Sequence, residues 1–205
     1  MKNPLSYQRT EYDCGPTTVL NAIDYLFARN EIPPEVIKFV MLYCLDGYNN
    51  EGEPGKSGTT GMAMRFLSNW LTHYGEVKNW PISCEFLTGE QVHMSQNSKL
   101  AECLQLGGVV IAKVMLGCWH YVLLTGMDSQ YVYLFDPYYR KNPFVEKNIK
   151  IIRDAPKRWN RRITYDVLNS EGKGNYALGS RTQRECVLMH NKVRKQSMDS
   201  IEYMI

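Results

Sequence analysis

The chain has 205 residues, 44% of them hydrophobic and 22% charged, with a net charge of only +3. That is a globular composition, long enough for one large domain or two small lobes sharing a cleft. Six cysteines, at 14, 44, 84, 103, 118 and 186, form no CxxC pair and no ladder of short spacings, so neither a zinc site nor a disulfide framework is expected.

No metal or other cofactor is called for, and the cysteine pattern suits a reducing, cytoplasmic setting. No apolar run approaches membrane-spanning length, and the first residues carry no leader-like apolar core. The charge is uneven: residues 140–162 hold nine Lys and Arg (140, 141, 147, 150, 153, 157, 158, 161, 162) against Glu146 and Asp154. A local excess of +7 leaves −4 for the rest of the chain. Such a run is ordinarily a solvated surface, with steering of an acidic partner as the alternative.

In chain order, the first strong signal is residues 7–30. An extended polar lead carrying Gln8 reaches Cys14 and a Gly15-Pro16 step, and then Val19, Ile23, Leu26 and Phe27 fall on one helical face. Pro16 suits a first helical turn, where backbone donors have no intrahelical partner, so the helix starts within a residue or two of Cys14. Partial positive charge at that end favours thiolate over thiol, and the thiolate is the nucleophile. Gln8, six residues earlier, supplies an amide donor for an oxyanion. The plain alternative is a buried structural cysteine. A base elsewhere in the chain decides between the two.

Pro33-Pro34 ends this pattern, and residues 35–45 read as a second helix whose broad apolar face predicts deep burial. Residues 46–61 are loop-like; Gly55-Lys56-Ser57 imitates a phosphate loop, but that motif needs glycine where Asn50 stands. Thr59 or Thr60 caps a third helix over 62–74, with Phe66, Leu67, Trp70 and Leu71 on its apolar side and Gly75 as its stop. A short strand over 79–87 and a helix over 98–106, ended by Gly107-Gly108, follow, with His93 between them as a surface residue. From Val109 the period changes. Strands are predicted over 109–115, 120–125 and 131–136, and further ones over 149–152, 163–168 and 186–189. The layout is a single α+β domain, with a helical part to about residue 107, an antiparallel β part over 108–190, and a tail over 191–205.

A hairpin centred on Asp128 pairs residues whose numbers sum to 256, which sets His120 opposite Asp136. Facing side chains there have Cβ atoms about 5 Å apart, so the carboxylate accepts the imidazole N–H and fixes its tautomer. The separation of sixteen is even, which keeps both residues on one face unless a bulge intervenes. The bland alternative is a hydrogen-bonded core histidine beside an Asp-Pro turn.

Taken together, Gln8, Asp13-Cys14-Gly15-Pro16, Gly58-Thr-Thr-Gly61, His120-Tyr-Val-Leu-Leu-Thr-Gly126 and Asp136-Pro137 resemble the papain-like cysteine peptidases of the bacteriocin-processing (double-glycine leader) family and its stand-alone relatives. The likeness covers roughly residues 5–140, with its motifs in the family's order. It implies a papain-like α+β fold with the active site in the cleft between a helical and a β lobe. It further implies Cys14 as nucleophile, His120 as base and then acid, Asp136 as orienter, and Gln8 with the Cys14 N–H as oxyanion hole. Trp119, Tyr121 and Tyr138, beside Tyr139, flank that pair and either line a substrate groove or pack a sheet edge. Leader-processing members are commonly fused to a transporter, and no membrane segment is seen here.

The leading expectation is a cysteine peptidase or related amide hydrolase acting on a peptide or protein substrate. An acyl- or peptidyl-transferase is the alternative, since an amine, thiol or alcohol also resolves a thioester. A non-catalytic peptide-binding module is disfavoured by the presence of Cys14. Nucleic-acid binding rests on residues 140–162 by charge alone, without a motif.

Overall fold

Residues 4–194 are described here from a computed structural model. The apolar run after Pro16 forms helix α1 (Cys14–Leu26), and Val19, Ile23, Leu26 and Phe27 are all buried, so the face read from spacing is the face that packs. Asp13 precedes α1 without capping it. Its carboxylate turns back instead, accepting from the Arg9 N–H and from the Thr10 N–H and hydroxyl. This knots the polar lead, and the Gln8 N–H donates to the Pro137 carbonyl at 2.9 Å, tying the lead to the chain just past Asp136.

Helix α2 (Pro34–Cys44) is less buried than its composition predicts. Only Val36, Val40 and Cys44 are fully covered, while Ile37, Met41, Leu42 (60% exposed) and Tyr43 face outward. Apolar content alone overstates burial when the helix touches neighbours along a single stripe. Helix α3 (Gly61–Lys78) is capped by the Thr60 hydroxyl, as expected, but runs through Gly75 to a turn at Asn79 in the left-handed region. Phe66, assigned to its apolar side, is exposed, whereas Leu67 and Leu71 are buried. Gly75 serves close approach: a Cβ there would lie 2.6 Å from the Trp80 carbonyl and 2.8 Å from Ile82 Cγ2.

Strand β1 (Ile82–Thr88) and helix α4 (Lys99–Gln105, capped by Ser98) precede the β-rich half. Then come β2 (Val109–Leu116), β3 (Cys118–Met127), β4 (Tyr131–Phe135), β5 (Ile149–Ile151), β6 (Arg161–Thr164), the short helix α5 (Tyr165–Asn169) and β7 (Glu185–Asn191). The strand predicted over 163–168 thus ends early and turns into a helix. The seven strands among the described residues make one antiparallel sheet in the order β1-β7-β2-β3-β4-β6-β5.

Alternation along the strands splits the interior in two. Ile82, Ile111, Leu123, Phe135 and Val187 pack against α1, α2 and α3, while Val110, Val122, Leu134, Ile163 and Leu188 pack on the other face with α4 and α5. The fold is therefore α+β, with an antiparallel sheet between helical layers. Two elements before residue 107 are not part of the α1–α3 layer: β1 is the edge strand of the sheet on which that layer packs, and α4 sits on the far face. Among the described residues no helix is long and apolar enough to cross a membrane. Of the predicted tail, residues 195–205 lie outside the described residues.

Candidate active site

Cys14 is the first residue of α1 and is 8% exposed, opening onto a cleft of about 830 Å³. His120, near the start of β3, lines the same cleft, and its Nε2 lies 2.7 Å from Asp136 Oδ1. The three residues expected to work together are brought together, although not by the expected register. Near the turn, Gly126 and Met127 pair with Tyr133 and Val132, so partner numbers sum to 259; beyond it, Leu123 and Leu124 pair with Phe135 and Leu134, and the sum is 258. A bulge between Leu124 and Gly126 makes the change.

The parity of that bulge matters. Continuing the first register would set Asp136 against Leu123, on the opposite face from His120; the extra residue, Thr125, sets it against Val122 instead. His120 is then a diagonal neighbour of Asp136 on the same face, within reach of a histidine and an aspartate. Thr125 is held in the bulge by its hydroxyl, which donates to the Arg158 carbonyl at 2.8 Å.

Asp136 is buried and saturated with donors. Oδ1 accepts from His120 and from the Tyr138 N–H (2.8 Å), and Oδ2 accepts from the Tyr176 hydroxyl (2.6 Å). Its main chain is clamped on both sides by the Asn160 amide, at 2.8 Å each way. Burial works against charge on His120, but the hydrogen bond that its ring donates to Asp136, the contact with Cys14 and the Coulombic pull of the two outweigh it. The ring is pushed up from an ordinary 6.5 to about 9. Since Nε2 is engaged by Asp136, Nδ1 is the nitrogen left for the thiol. Burial pushes the other core thiols up, Cys84 to about 12 and Cys44 and Cys186 likewise upward, so these hold their protons at neutral pH.

Gln8 lines the cleft, with one amide N–H donated to the Thr10 carbonyl at 2.8 Å and Oε1 buried without a hydrogen-bond partner among the described residues. Its second amide N–H makes no hydrogen bond among the described residues. Trp119 (38% exposed) and Tyr138 offer ring surface to the cleft. Tyr121 also lines it but is 4% exposed, and its hydroxyl is spent on Glu185 (2.6 Å), which Lys113 approaches at 3.3 Å. Tyr139 lies outside this cleft, edge-on to Tyr7.

The Gly-Thr-Thr-Gly run now has a physical reading. Gly58, with positive φ, turns the chain at the cleft wall. Gly61 leaves room for the Glu185 carboxylate at the N-terminus of α3, where a Cβ would meet its Oε2 at 2.2 Å. Between them Thr59 packs on Gly15, whose Cβ would lie 2.1 Å from Thr59 Oγ1 and 2.6 Å from Thr59 Cβ. Gly15→Ala is therefore expected to push Thr59 and the cleft wall away from Cys14, costing about 1–3 kcal/mol of stability. A thermal melt alongside a turnover assay checks this, and an unchanged melting point would refute the packing argument.

Sequence reasoning missed Asn160, Arg161 and Tyr176. Arg161 was counted within a solvated basic run, yet it is 1% exposed; Tyr176 sits in a Gly-Lys-Gly-Asn-Tyr loop with no chemical signature. Among the described residues no group of three His, Cys, Asp or Glu is placed to hold a metal ion.

A family model described as "Peptidase_C39 like family" matches residues 2–167. No curated protein matches the chain. Among solved structures, a double glycine motif protease from an AMS/PCAT transporter, crystallised in complex with its leader peptide, aligns with TM-score 0.43 and 13% identity over 91% of this chain and 89% of that one. At that distance the superposition transfers no residue roles.

Proposed function

From the premise that the chain belongs to the Peptidase_C39 like family, we propose that it is a cysteine peptidase that cleaves a peptide amide through a thioester on Cys14. The observation that carries this reading is the single imidazole of His120, held at 2.7 Å by a buried carboxylate on one nitrogen and facing the Cys14 thiol with the other.

In the proposed reaction, the thiol proton already rests on His120 at neutral pH, consistent with a ring pushed up to about 9, and the Cys14 sulfur attacks the acyl carbon. The oxyanion that forms is met by the Cys14 backbone N–H, free at the first residue of α1, and by the remaining Gln8 amide N–H. Collapse breaks the C–N bond, and the His120 proton leaves with the amine. Water then attacks the thioester, giving its proton to His120, and the acid departs as the C–S bond breaks, which leaves the sulfur beside the protonated ring as at the start. Asp136 keeps Nε2 protonated throughout, so Nδ1 exchanges the proton. Trp119 and Tyr138 supply ring surface for the substrate on either side of the pair.

The test uses iodoacetamide in a Cys118→Ser background, because Cys118 is exposed in the same cleft and would label by access alone. Cys14 is expected to alkylate at neutral pH at least about tenfold faster than Cys44, Cys84 or Cys186. Labelling no faster than those buried thiols would end the peptidase reading. Turnover of a peptide amide should stay level through neutral pH and fall as pH rises through about 9, because the ring then loses the proton it delivers to the leaving amine. A fall centred near 6.5 would contradict the electrostatics of the His120–Asp136 pair. Adding a nucleophilic amine and analysing products separates hydrolysis from acyl transfer.

A further inference from the structure

Behind Asp136, on the side away from His120, lies a buried cluster beyond the motif-bearing part of the chain. The Tyr176 hydroxyl donates to Asp136 Oδ2 at 2.6 Å and accepts from Arg161 Nε at 3.1 Å. Arg161 also donates through Nη1 to the Asn160 carbonyl (2.9 Å) and through Nη2 to the Tyr138 carbonyl (3.2 Å). We propose that Tyr176 and Arg161 are positioning residues for the His120–Asp136 pair: they hold the carboxylate rotamer and draw part of its charge away from the imidazole. This rests on the peptidase reading above and adds to it a control on how readily His120 releases its proton.

Three observations carry it. Tyr176 is fully buried at φ +63°, a conformation that costs a non-glycine residue about 1–3 kcal/mol unless its surroundings enforce it. Here they do: the Tyr176 N–H donates to the Met115 carbonyl at 2.6 Å, and the Met115 N–H to the Ala177 carbonyl at 2.8 Å. The strained residue is the one that delivers a hydroxyl to the second carboxylate oxygen. Next, Arg161 Nε occupies the phenolic oxygen from behind, so the phenol proton is directed at Oδ2. Burial, and then the charge of Asp136, raise the Tyr176 hydroxyl well above its ordinary range against a smaller pull from Arg161, which keeps it a donor. Finally, Arg161 is a buried charge whose side-chain hydrogen bonds among the described residues reach neutral groups, and Tyr176 links it to the Asp136 carboxylate. Burying a guanidinium is costly without compensation, and the Asp136 charge beyond the phenol supplies it.

The consequence has a sign. A donor on Oδ2 competes with His120 for the electron density of the carboxylate. Without it, Asp136 binds the imidazolium more strongly and the ring gives up its proton at higher pH. The charged and titratable groups nearest the pair are Cys14 from α1, Asp136 after β4, Tyr176 before β7 and Arg161 from β6, and Glu11, Tyr12, Lys56, Tyr138 and Arg140 line the wider cleft that His120 faces. The Lys113–Glu185 pair is set further off, beneath Tyr121.

The experiment follows the His120 ring proton by NMR across pH in the full chain, in the wild type, Tyr176→Phe and Arg161→Gln, with thermal melts alongside. The expected result is a wild-type midpoint near 9, with Tyr176→Phe moving it up by about half a unit to one unit, consistent with loss of one hydrogen bond to a charged group. Arg161→Gln moves it in the same direction. Iodoacetamide labelling of Cys14 should show its alkaline inflection displaced equally. A Tyr176→Phe protein that melts cooperatively and titrates like the wild type overturns this inference alone. A wild-type His120 that titrates in its ordinary range overturns the peptidase reading with it. Lower stability with an unmoved midpoint means that the cluster is only packing, and equally overturns the inference.

Discussion

Cys14→Ala is expected to lower turnover of a peptide amide by at least about 10⁴-fold while the protein folds as before. The sulfur is the protein group that bonds to substrate carbon in the proposed path, and alanine removes it. Everything else in the cleft then acts on a nucleophile that is missing, and the oxyanion donors can assist only direct attack by water. Stability should change little. Cys14 lies at the cleft surface at the first residue of α1, and its loss removes one atom from a site that already borders solvent. The check is a turnover assay with a thermal melt on the same preparation. Residual activity within a hundredfold of wild type, with the fold intact, would mean that another group carries the reaction.

Asp136→Ala is expected to have the largest effect on stability, about 3–5 kcal/mol, and to lower turnover by about a thousandfold. The substitution strands four partners at once. His120 Nε2, the Tyr138 N–H and the Tyr176 hydroxyl lose their acceptor, and the buried Arg161 loses the negative charge beyond the phenol. Unpaired buried donors and an uncompensated buried cation are among the costliest defects a core can carry. Asp136→Asn should be milder for stability, because its amide oxygen still accepts from His120 and the Tyr138 N–H at the Oδ1 position, but not for turnover, because the neutral amide no longer supplies the charge that holds the imidazolium. A melting point for Asp136→Ala within about two degrees of wild type would refute the account of this cluster.

Much of the local structure could be read directly from residue order. The start of α1, the Thr60 and Ser98 caps, and the strands through 109–135 follow from spacing, capping chemistry and the change of period at Val109. Errors fell where burial depends on a distant partner. Ile37, Met41, Leu42 and Tyr43 of α2 face outward because α2 has neighbours on one side only, and α3 continues through Gly75 because that glycine serves the approach of residues 80–82. Neither fact is encoded within the helix concerned.

The sequence by itself determined which chemical groups are present, that a cysteine begins a helix, and that His120 and Asp136 are an even number of residues apart on neighbouring strands. Tertiary structure alone decided that this parity survives, through a bulge at Thr125 that no composition announces, and that the pair sits diagonally instead of face to face. It also decided that Arg161, one of nine cations in a basic run, and Tyr176, forty residues past Asp136, close around that carboxylate. Periodicity is a property of neighbours along the chain and therefore shows in the sequence. The company a buried charge keeps is fixed by packing between segments far apart, where desolvation makes each unpaired group expensive and each paired one specific.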